Sequence, residues 1–317
     1  MGVEEEMLIE RVMELYDNIS KLESLKPGKD VNMLFTELVH ACMPESSIDV
    51  SKLSKRVQEK RSRLIRLCGE AEGLLESHFS SILASYSNPL DHLSLFPYYD
   101  NYLKLSLLEY SILSRNCTRV PSRVAFVGSG PLPLSTIVLA SFHLRNTTFH
   151  NYDIDPSANS KAVCLVSSDP DLSKRLFFHT TNIMDVTHGL KEYEVIFLAA
   201  LVGMDREEKN RVVAHLAKFM APGAILMIRS AHGARAFLYP VIEPSDLRGF
   251  EVLSVFHPTD EVINSVIIAS KCENPLHALD PGLGSIILPC KCSDIQAFNP
   301  LNHGAMMEEL AIEEKPY

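Results

Sequence analysis

The sequence lacks an excess of basic residues and any long apolar run. It has 30 lysines and arginines against 40 aspartates and glutamates, which gives a formal net charge of −10. Binding to the nucleic-acid backbone requires clustered positive charge, so this balance argues against a nucleic-acid partner and favours a small-molecule ligand. No apolar stretch approaches the roughly 18 residues that a membrane span requires.

The N-terminus lacks the features of a secretion signal. MGVEEEMLIE places three glutamates where a signal peptide has basic residues, and Glu6 stands where myristoylation requires serine or threonine. The seven cysteines are odd in number and scattered, which fits reduced thiols and not a disulfide framework. We therefore expect a soluble, cytoplasmic protein. The sequence carries no feature that sets an oligomeric state.

Only Cys290 and Cys292 stand close together among the cysteines. A structural zinc site needs a second ligand pair at a matching spacing, and the sequence has none. We therefore expect no metal site.

The first 120 residues have helical periodicity. Apolar residues recur at steps of three and four from Leu8 to Leu22, and the same spacing predicts a long helix over about 51–86 and another over about 91–113. Asp49 is suited to cap the start of the long helix. Residues 1–120 are therefore expected to form an all-helical N-terminal domain.

After Val120 the chain alternates between short strand-like runs and helical segments. The runs include VAFVG, FHNYDID, LFFHT, YEVIFLAAL, AILMIRS, FEVLSVF and VINSVIIAS. This alternation is typical of an α/β domain with a Rossmann-like, doubly wound and mostly parallel sheet, which we place at 121–272. Residues 273–317 are rich in proline, glycine and asparagine and are expected to be an extended or disordered tail.

The first strand leads into the loop Gly128-Ser129-Gly130, which predicts a ligand site. Gly128 can adopt the positive φ of a tight turn, and Gly130 lets a ligand approach the backbone. Asp153 ends the second strand, where a carboxylate typically holds a ribose diol, whereas Asp155 precedes a proline and is suited to cap a helix. A plain turn between strand and helix remains the alternative interpretation of the two glycines.

The pattern Gly-x-Gly followed by Asp153-Ile154-Asp155-Pro156 favours S-adenosylmethionine (SAM) over a dinucleotide as the ligand. The third glycine of a pyrophosphate loop is absent, since Leu132 and Pro133 occupy that stretch. Asn182 in TTNIMDV is the candidate for contact with the adenine edge, and Asp185 is a second one.

Two glutamates accompany the apolar stripe of the long predicted helix. Glu72 lies on the stripe and Glu76 lies beside it. Such carboxylates are either residues at the helix edge or groups directed into a cavity with a raised pKa. Tyr98 and Tyr102 share a face of the next predicted helix, where aromatic residues are usually part of a core.

Long phrases of the sequence resemble the plant nicotianamine synthase family. They are LCGEAEGLLESHFSSILASY, NPLDHLSLFPYYDNYLKL, VPSRVAFVGSGPLPLSTIVLA, FHNYDIDPSAN, VIFLAALVGMD, MAPGAILMIRSAHGARAFLYP and GFEVLSVFHPTDEVINSVIIA. The resemblance covers about residues 8–271. It implies a transferase that joins three 3-amino-3-carboxypropyl groups from three SAM molecules into nicotianamine, a chelator of metal ions such as iron, and releases three 5′-methylthioadenosine molecules.

The resemblance also implies roles for individual residues. The catalytic glutamate and tyrosine of the family fall on Glu76 and Tyr102. Candidates for binding substrate carboxylates are Arg229, Arg235 and Tyr239. SAM would act as a substrate, with no prosthetic group.

Two other functions remain open at this point. A SAM-dependent methyltransferase would produce S-adenosylhomocysteine instead of methylthioadenosine. A catalytically inactive SAM-binding regulator would have no physical reason to keep Glu76, Tyr102 and Arg235 together.

Overall fold

The computed structural model describes residues 2–273, and it begins with four helices. They are α1 (Val3–Ile19), α2 (Lys29–Cys42), α3 (Lys55–Leu83) and α4 (Tyr99–Asn116). Short 3-10 turns over Val50–Lys52 and Pro89–Leu95 precede α3 and α4. The helical character predicted from the periodicity is confirmed, but the starts of the two longer predicted helices are not.

The prediction that Asp49 caps the long helix is wrong. The Asp49 carboxylate accepts a hydrogen bond from the Ser51 amide and caps the short turn, and the Ser54 hydroxyl caps α3 by accepting from the Val57 amide at 3.4 Å. The next predicted helix is also shorter at its start. Pro97 lacks an amide hydrogen and restricts the residue before it, so α4 begins only at Tyr99.

The second part of the chain forms a seven-stranded sheet. Its strands are β1 (Arg123–Val127), β2 (Thr148–Asp153), β3 (Leu176–Thr180), β4 (Val195–Leu198), β5 (Ile225–Ser230), β6 (Phe250–Phe256) and β7 (Ser265–Lys271). The order is β3-β2-β1-β4-β5-β7-β6, and β7 pairs antiparallel with β5 and β6. The remaining pairs are parallel. The predicted Rossmann-like, mostly parallel sheet is confirmed.

Helices alternate with the parallel strands. They are α5 (Leu134–Val138), which continues into a π-helical turn over Leu139–His143, α6 (Pro156–Val166), α7 (Leu172–Arg175) and α8 (Arg206–Phe219). The Asp155 carboxylate accepts from the Ser157 amide at 2.8 Å and caps α6, as predicted. Chain order reverses between β1 and β4, so the carboxyl ends of these strands open onto the crevice in which such folds bind ligands.

The helices and the sheet share a hydrophobic core. Leu83 of α3 and Leu108 of α4 belong to the same buried cluster as Val124 of β1 and Ile268 of β7. Residues 2–273 lie within one compact unit. The change from helices to strands falls near residue 120, and its status as a domain boundary stays a prediction. The predicted tail lies outside the described residues, apart from Glu273.

Within residues 2–273, no helix is both long enough and apolar enough to cross a membrane.

Two neighbouring leucines of α4 provide a test of this packing. Leu108 is 5% exposed and lies in the core shared with the sheet, whereas Leu107 is 48% exposed. We expect Leu108→Ala to lower the free energy of unfolding by about 2–5 kcal/mol, because it leaves a cavity between helix and sheet. The matched control Leu107→Ala should change it by less than about 1 kcal/mol, since alanine favours the helix. Chemical denaturation measures both, and equal losses would contradict the assigned packing.

Candidate active site

A cavity of about 1080 Å³ opens between the helices and the carboxyl ends of β1, β2 and β4. Its wall contains residues from α2, α3 and α4 together with the loop 128–136 that follows β1. This volume lies just above the usual range for small-molecule sites, about 300–1,000 Å³. The cavity therefore has the size and the position of a substrate site.

The glycine loop has the geometry predicted for a ligand turn. Gly128 and Gly130 have φ angles of +82° and +66°. The Gly128 amide donates to the Tyr152 carbonyl of β2 at 2.8 Å, which ties the loop to the neighbouring strand. Residues other than glycine rarely adopt these φ angles, so the turn requires glycine at both positions.

Gly130 also brings a helix residue against the loop. A Cβ atom at this position would lie 2.6 Å from the Glu76 Oε2 atom of α3. The absence of a side chain at Gly130 therefore lets the Glu76 carboxylate reach the loop, and the helical and Rossmann-like parts of the chain meet at this contact.

Asp153 lies beside the loop at the end of β2. Its Oδ2 accepts from the Gly130 amide at 2.8 Å and its Oδ1 accepts from the Asp155 amide at 3.0 Å. These bonds fix the carboxylate at the cavity wall, and each oxygen keeps a second lone pair that can accept from a ribose hydroxyl.

Two other residues predicted to contact SAM line the same part of the cavity. The buried Ser129 hydroxyl has no hydrogen-bond partner among the described residues, so it is available to a ligand. Asn182 is exposed, and its Oδ1 accepts from the Met184 amide at 3.0 Å. This bond leaves the two amide N–H groups of Asn182 as donors. Asp185, the second candidate, is not part of the cavity wall.

Glu76 and Tyr102 form a hydrogen-bonded pair inside the cavity. The Tyr102 hydroxyl donates to the Glu76 Oε1 at 3.1 Å, and Glu76 is 8% exposed. Burial raises the pKa of Glu76 well above its ordinary value, and repulsion from Glu72 raises it further. A carboxylate whose pKa is raised in this way is a stronger base than one in water.

Glu72 and Tyr239 form a second pair of the same kind. The Tyr239 hydroxyl donates to the Glu72 Oε2 at 3.0 Å, and both residues line the cavity. Burial raises the pKa of Glu72, although the hydrogen bond from Tyr239 and the charge of Arg229 oppose the rise. The sequence predicted that Tyr239 contacts a substrate carboxylate, but its hydroxyl is used here as the donor to Glu72.

Arg229 lies at the cavity wall but is already paired. Its Nε and Nη2 donate to the two Glu109 oxygens at 2.7 and 2.9 Å, and Nη2 also donates to the Ser135 hydroxyl at 2.6 Å. Burial alone would lower the pKa of Arg229, but the charge and hydrogen bond of Glu109, together with Tyr102 and Glu72, outweigh burial and raise that pKa. The guanidinium therefore stays charged, and Nη1 has no hydrogen bond within residues 2–273.

The structure does not bring Arg235 to the cavity. Its guanidinium donates to the backbone carbonyls of Met43, Pro258 and Asp260. Arg235 lies in a 3-10 turn over Gly233–Phe237 that directs the side chain away from the site, so it holds loops together. The expectation that it binds a substrate carboxylate is corrected on this geometry.

Sequence reasoning missed two polar residues of the cavity region. Glu109 neutralises Arg229 from 120 positions away, and no local pattern indicates this pair. The Asn264 Nδ2 atom is buried at the cavity wall and lacks a partner in the described chain. The run VINSVIIAS predicted a strand that includes Asn264, but β7 begins only at Ser265, so Asn264 precedes the strand.

The part of the chain that the structure describes contains no group of three or more histidine, cysteine, aspartate or glutamate residues that could hold a metal ion. Cys290 and Cys292 lie outside the described residues.

Comparison with known proteins identifies a family over all of the described residues. The family model described as "Nicotianamine synthase protein" matches residues 2–276. A nicotianamine synthase of Solanum lycopersicum is 65% identical over 309 residues, covering 97% of this chain and 98% of its own length. Nicotianamine synthase 3 of Arabidopsis thaliana is 59% identical over 321 residues, covering 99% of both chains.

Solved structures support the fold. Two crystal structures of a protein called MtNAS, a mutant in complex with S-adenosylmethionine and a complex with MTA and tNA, each align with a TM-score of 0.69 at 22% sequence identity. The alignments cover 83% of this chain and 98% and 97% of the respective MtNAS chains.

Replacement of Gly130 by alanine tests the contact between loop and helix. We expect Gly130→Ala to lower SAM affinity at least about 10-fold. The added Cβ would displace the Glu76 carboxylate and would occupy the space at the backbone that the glycine leaves to the ligand. Isothermal titration calorimetry measures the affinity.

Gly223→Ala is the matched control for this variant. Gly223 also has a positive φ, +76°, but a Cβ there would meet no atom within 4 Å. It should cost about 1–2 kcal/mol of stability from backbone strain without changing SAM affinity. Parental affinity in Gly130→Ala would show that the loop tolerates a side chain.

Proposed function

This chain belongs to the nicotianamine synthase family, and we propose that it carries out the synthesis of nicotianamine in the cavity between its helices and its sheet. The chain joins the 3-amino-3-carboxypropyl groups of three SAM molecules and releases three molecules of 5′-methylthioadenosine. SAM is a substrate and not a prosthetic group. The product chelates metal ions such as iron, so the chain acts in metal homeostasis.

Each transfer joins an amine to a carbon next to the sulfonium. The nitrogen lone pair attacks the γ-carbon of SAM, the C–S bond breaks, and its electron pair stays on sulfur as methylthioadenosine leaves. An ammonium has no lone pair, so a base must first take a proton from it. The positive charge of the sulfonium is removed as the bond breaks, and a poorly hydrated cavity favours this loss of charge.

The contact between Glu76 and the glycine loop carries the assignment of the base. Glu76 is buried, accepts from Tyr102, and lies against Gly130 at the predicted SAM loop. In this position its carboxylate can take a proton from an amine while the SAM γ-carbon lies nearby. We assign Glu76 as the base and Tyr102 as the residue that orients it.

SAM is held, in this proposal, along the wall formed by the glycine loop. Gly128, Ser129 and Gly130 give the backbone surface, Asp153 accepts from the ribose hydroxyls, and Asn182 donates to the adenine edge. Arg229 contributes its free Nη1 to a substrate carboxylate, while Tyr239 acts through Glu72.

The cytoplasm is the proposed location. All cysteines among residues 2–273 are free, which suits a reducing compartment. The net charge of −10 supports a small-molecule partner over nucleic acid.

Asp153→Ala tests the ribose contact. Removing a charged acceptor should weaken SAM binding by about 1.5–3 kcal/mol, as measured by calorimetry. Asp185→Ala is the control, because Asp185 is exposed and is not part of the cavity wall, so its affinity should match the parent. If Asp153→Ala binds SAM like the parent, the ribose lies elsewhere.

Glu76→Gln tests the base. Glutamine keeps the shape and can accept the Tyr102 hydrogen bond, but it cannot take a proton, so methylthioadenosine release should fall about 10²–10⁴-fold while SAM still binds. In the parent, release should rise with pH through the raised pKa of Glu76, because only the unprotonated carboxylate is a base. The variant should lose this rise.

The control for Glu76→Gln is Glu59→Gln, since Glu59 is an exposed glutamate of the same helix outside the cavity. Chromatography of the spent nucleoside reports the rate and the reaction together. A parental rate in Glu76→Gln would remove Glu76 from the mechanism, and S-adenosylhomocysteine in place of methylthioadenosine would indicate methyl transfer.

A further inference from the structure

The cavity contains a second glutamate–tyrosine pair that the single base does not use. Glu72 accepts from Tyr239 at 3.0 Å, just as Glu76 accepts from Tyr102 at 3.1 Å. Both glutamates lie on α3, four positions apart, so they share a face with an axial separation of about 6 Å. The repeated arrangement points to two places in the cavity for the same kind of chemical group.

Neither carboxylate forms an ion pair among the described residues, although the charge of Arg229 acts on the pKa of both. Two arginines line the cavity in the described part of the chain, and each pairs with another acid, Arg229 with Glu109 and Arg211 with Glu207. Two neighbouring acids in a poorly hydrated cavity repel each other, and this repulsion contributes to the raised pKa of Glu76. The arrangement therefore favours cationic ligands beside both carboxylates.

The growing product has cations at a matching distance. Consecutive nitrogens of the joined 3-amino-3-carboxypropyl units are separated by three carbons, which is about 5 Å in an extended chain. An amine beside Glu76 therefore places the next nitrogen of the same chain within reach of Glu72. The spacing of the nitrogens in the joined chain therefore matches the spacing of the two carboxylates, within the range that rotation of the two glutamate side chains allows.

We propose that Glu72, supported by Tyr239, is a second amine-binding residue of the reaction, which holds one nitrogen of the growing chain as an ammonium while Glu76 takes the proton from the other. This inference rests on the proposed function of the cavity. In the later transfers, the nitrogen at Glu76 loses its proton to that carboxylate and attacks the γ-carbon of SAM. The C–N bond forms, the C–S bond breaks, and methylthioadenosine leaves with the electron pair.

The distinctive consequence is a change in product distribution. A first coupling between two SAM molecules has no joined chain to hold, so it depends on Glu72 only through the effect of that carboxylate on the pKa of Glu76. Later couplings also use the amine held by Glu72. In Glu72→Gln, the release of the first methylthioadenosine should therefore fall less than the formation of nicotianamine. Nicotianamine should fall at least about 10-fold, the effect of losing one charge-assisted contact.

The experiment follows three products from full-length protein with SAM as the only substrate. Liquid chromatography with mass spectrometry measures methylthioadenosine, nicotianamine and the shorter chain of two joined units. The parent should give three methylthioadenosine molecules per nicotianamine, whereas Glu72→Gln should exceed this ratio and accumulate the shorter chain. Tyr239→Phe keeps the carboxylate and removes its donor, so it should shift the ratio in the same direction by less.

The outcomes separate this inference from the proposed function. Glu59→Gln should keep the parental ratio, and near-ultraviolet circular dichroism together with SAM binding checks the folding of each variant. A ratio of three in both Glu72→Gln and Tyr239→Phe, with a uniform loss of rate, would overturn the second amine site and assign the pair a structural role. A parent that releases no methylthioadenosine from SAM would contradict the proposed function itself.

Discussion

The active site depends on one close approach, that of the Glu76 carboxylate to the backbone of Gly130. A Cβ at Gly130 would lie 2.6 Å from Glu76 Oε2, so the approach exists only because this residue has no side chain. The same glycine donates its amide to Asp153 at the end of β2. One residue thus links the base on the helix to the acid that is proposed to hold the ribose, and the two parts of the chain act as one site.

Electrostatics explain why the cavity suits amine chemistry. Glu72 and Glu76 share a face of α3, and burial raises the pKa of each. Arg229 is the nearby cation, but Glu109 binds its Nε and Nη2. This pairing leaves the two other glutamates free for substrate ammonium groups, while the uncommitted edge of Arg229 remains for a carboxylate. Besides its sulfonium, SAM carries an ammonium and a carboxylate, and the proposed site offers a partner to each of these two groups.

The sequence was most informative where chemistry is local. The strand after Pro121, the turn glycines, the acid at the tip of β2 and the Asp155 cap all follow from neighbours in the chain, and the structure has each of them. The resemblance of long phrases to a known family pointed to Glu76 and Tyr102, which the structure joins by a hydrogen bond. A periodic stripe alone left Glu76 as either an edge residue or a cavity residue.

The sequence did not predict contacts between segments that lie far apart in the chain. The pairing of Arg229 with Glu109 and the orphaned amide of Asn264 depend on how α4 and β7 pack against β5. Arg235 lies outside the cavity wall because its guanidinium donates to backbone carbonyls of Met43, Pro258 and Asp260, and composition does not reveal these contacts. Such errors arise in loops, where backbone geometry and not residue type decides what a side chain meets.

The proposed reaction depends on the folded protein holding Glu76 as a strong base in its buried position. Infrared titration tests it directly by following the carbonyl band of the protonated carboxyl group in the difference between the parent and Glu76→Gln. Because burial raises the pKa of Glu76, we expect a band that persists to a pH well above 4.5, the ordinary glutamate value. A band that disappears at the ordinary value would rule out this role, because Glu76 would then be no stronger a base than a glutamate in water.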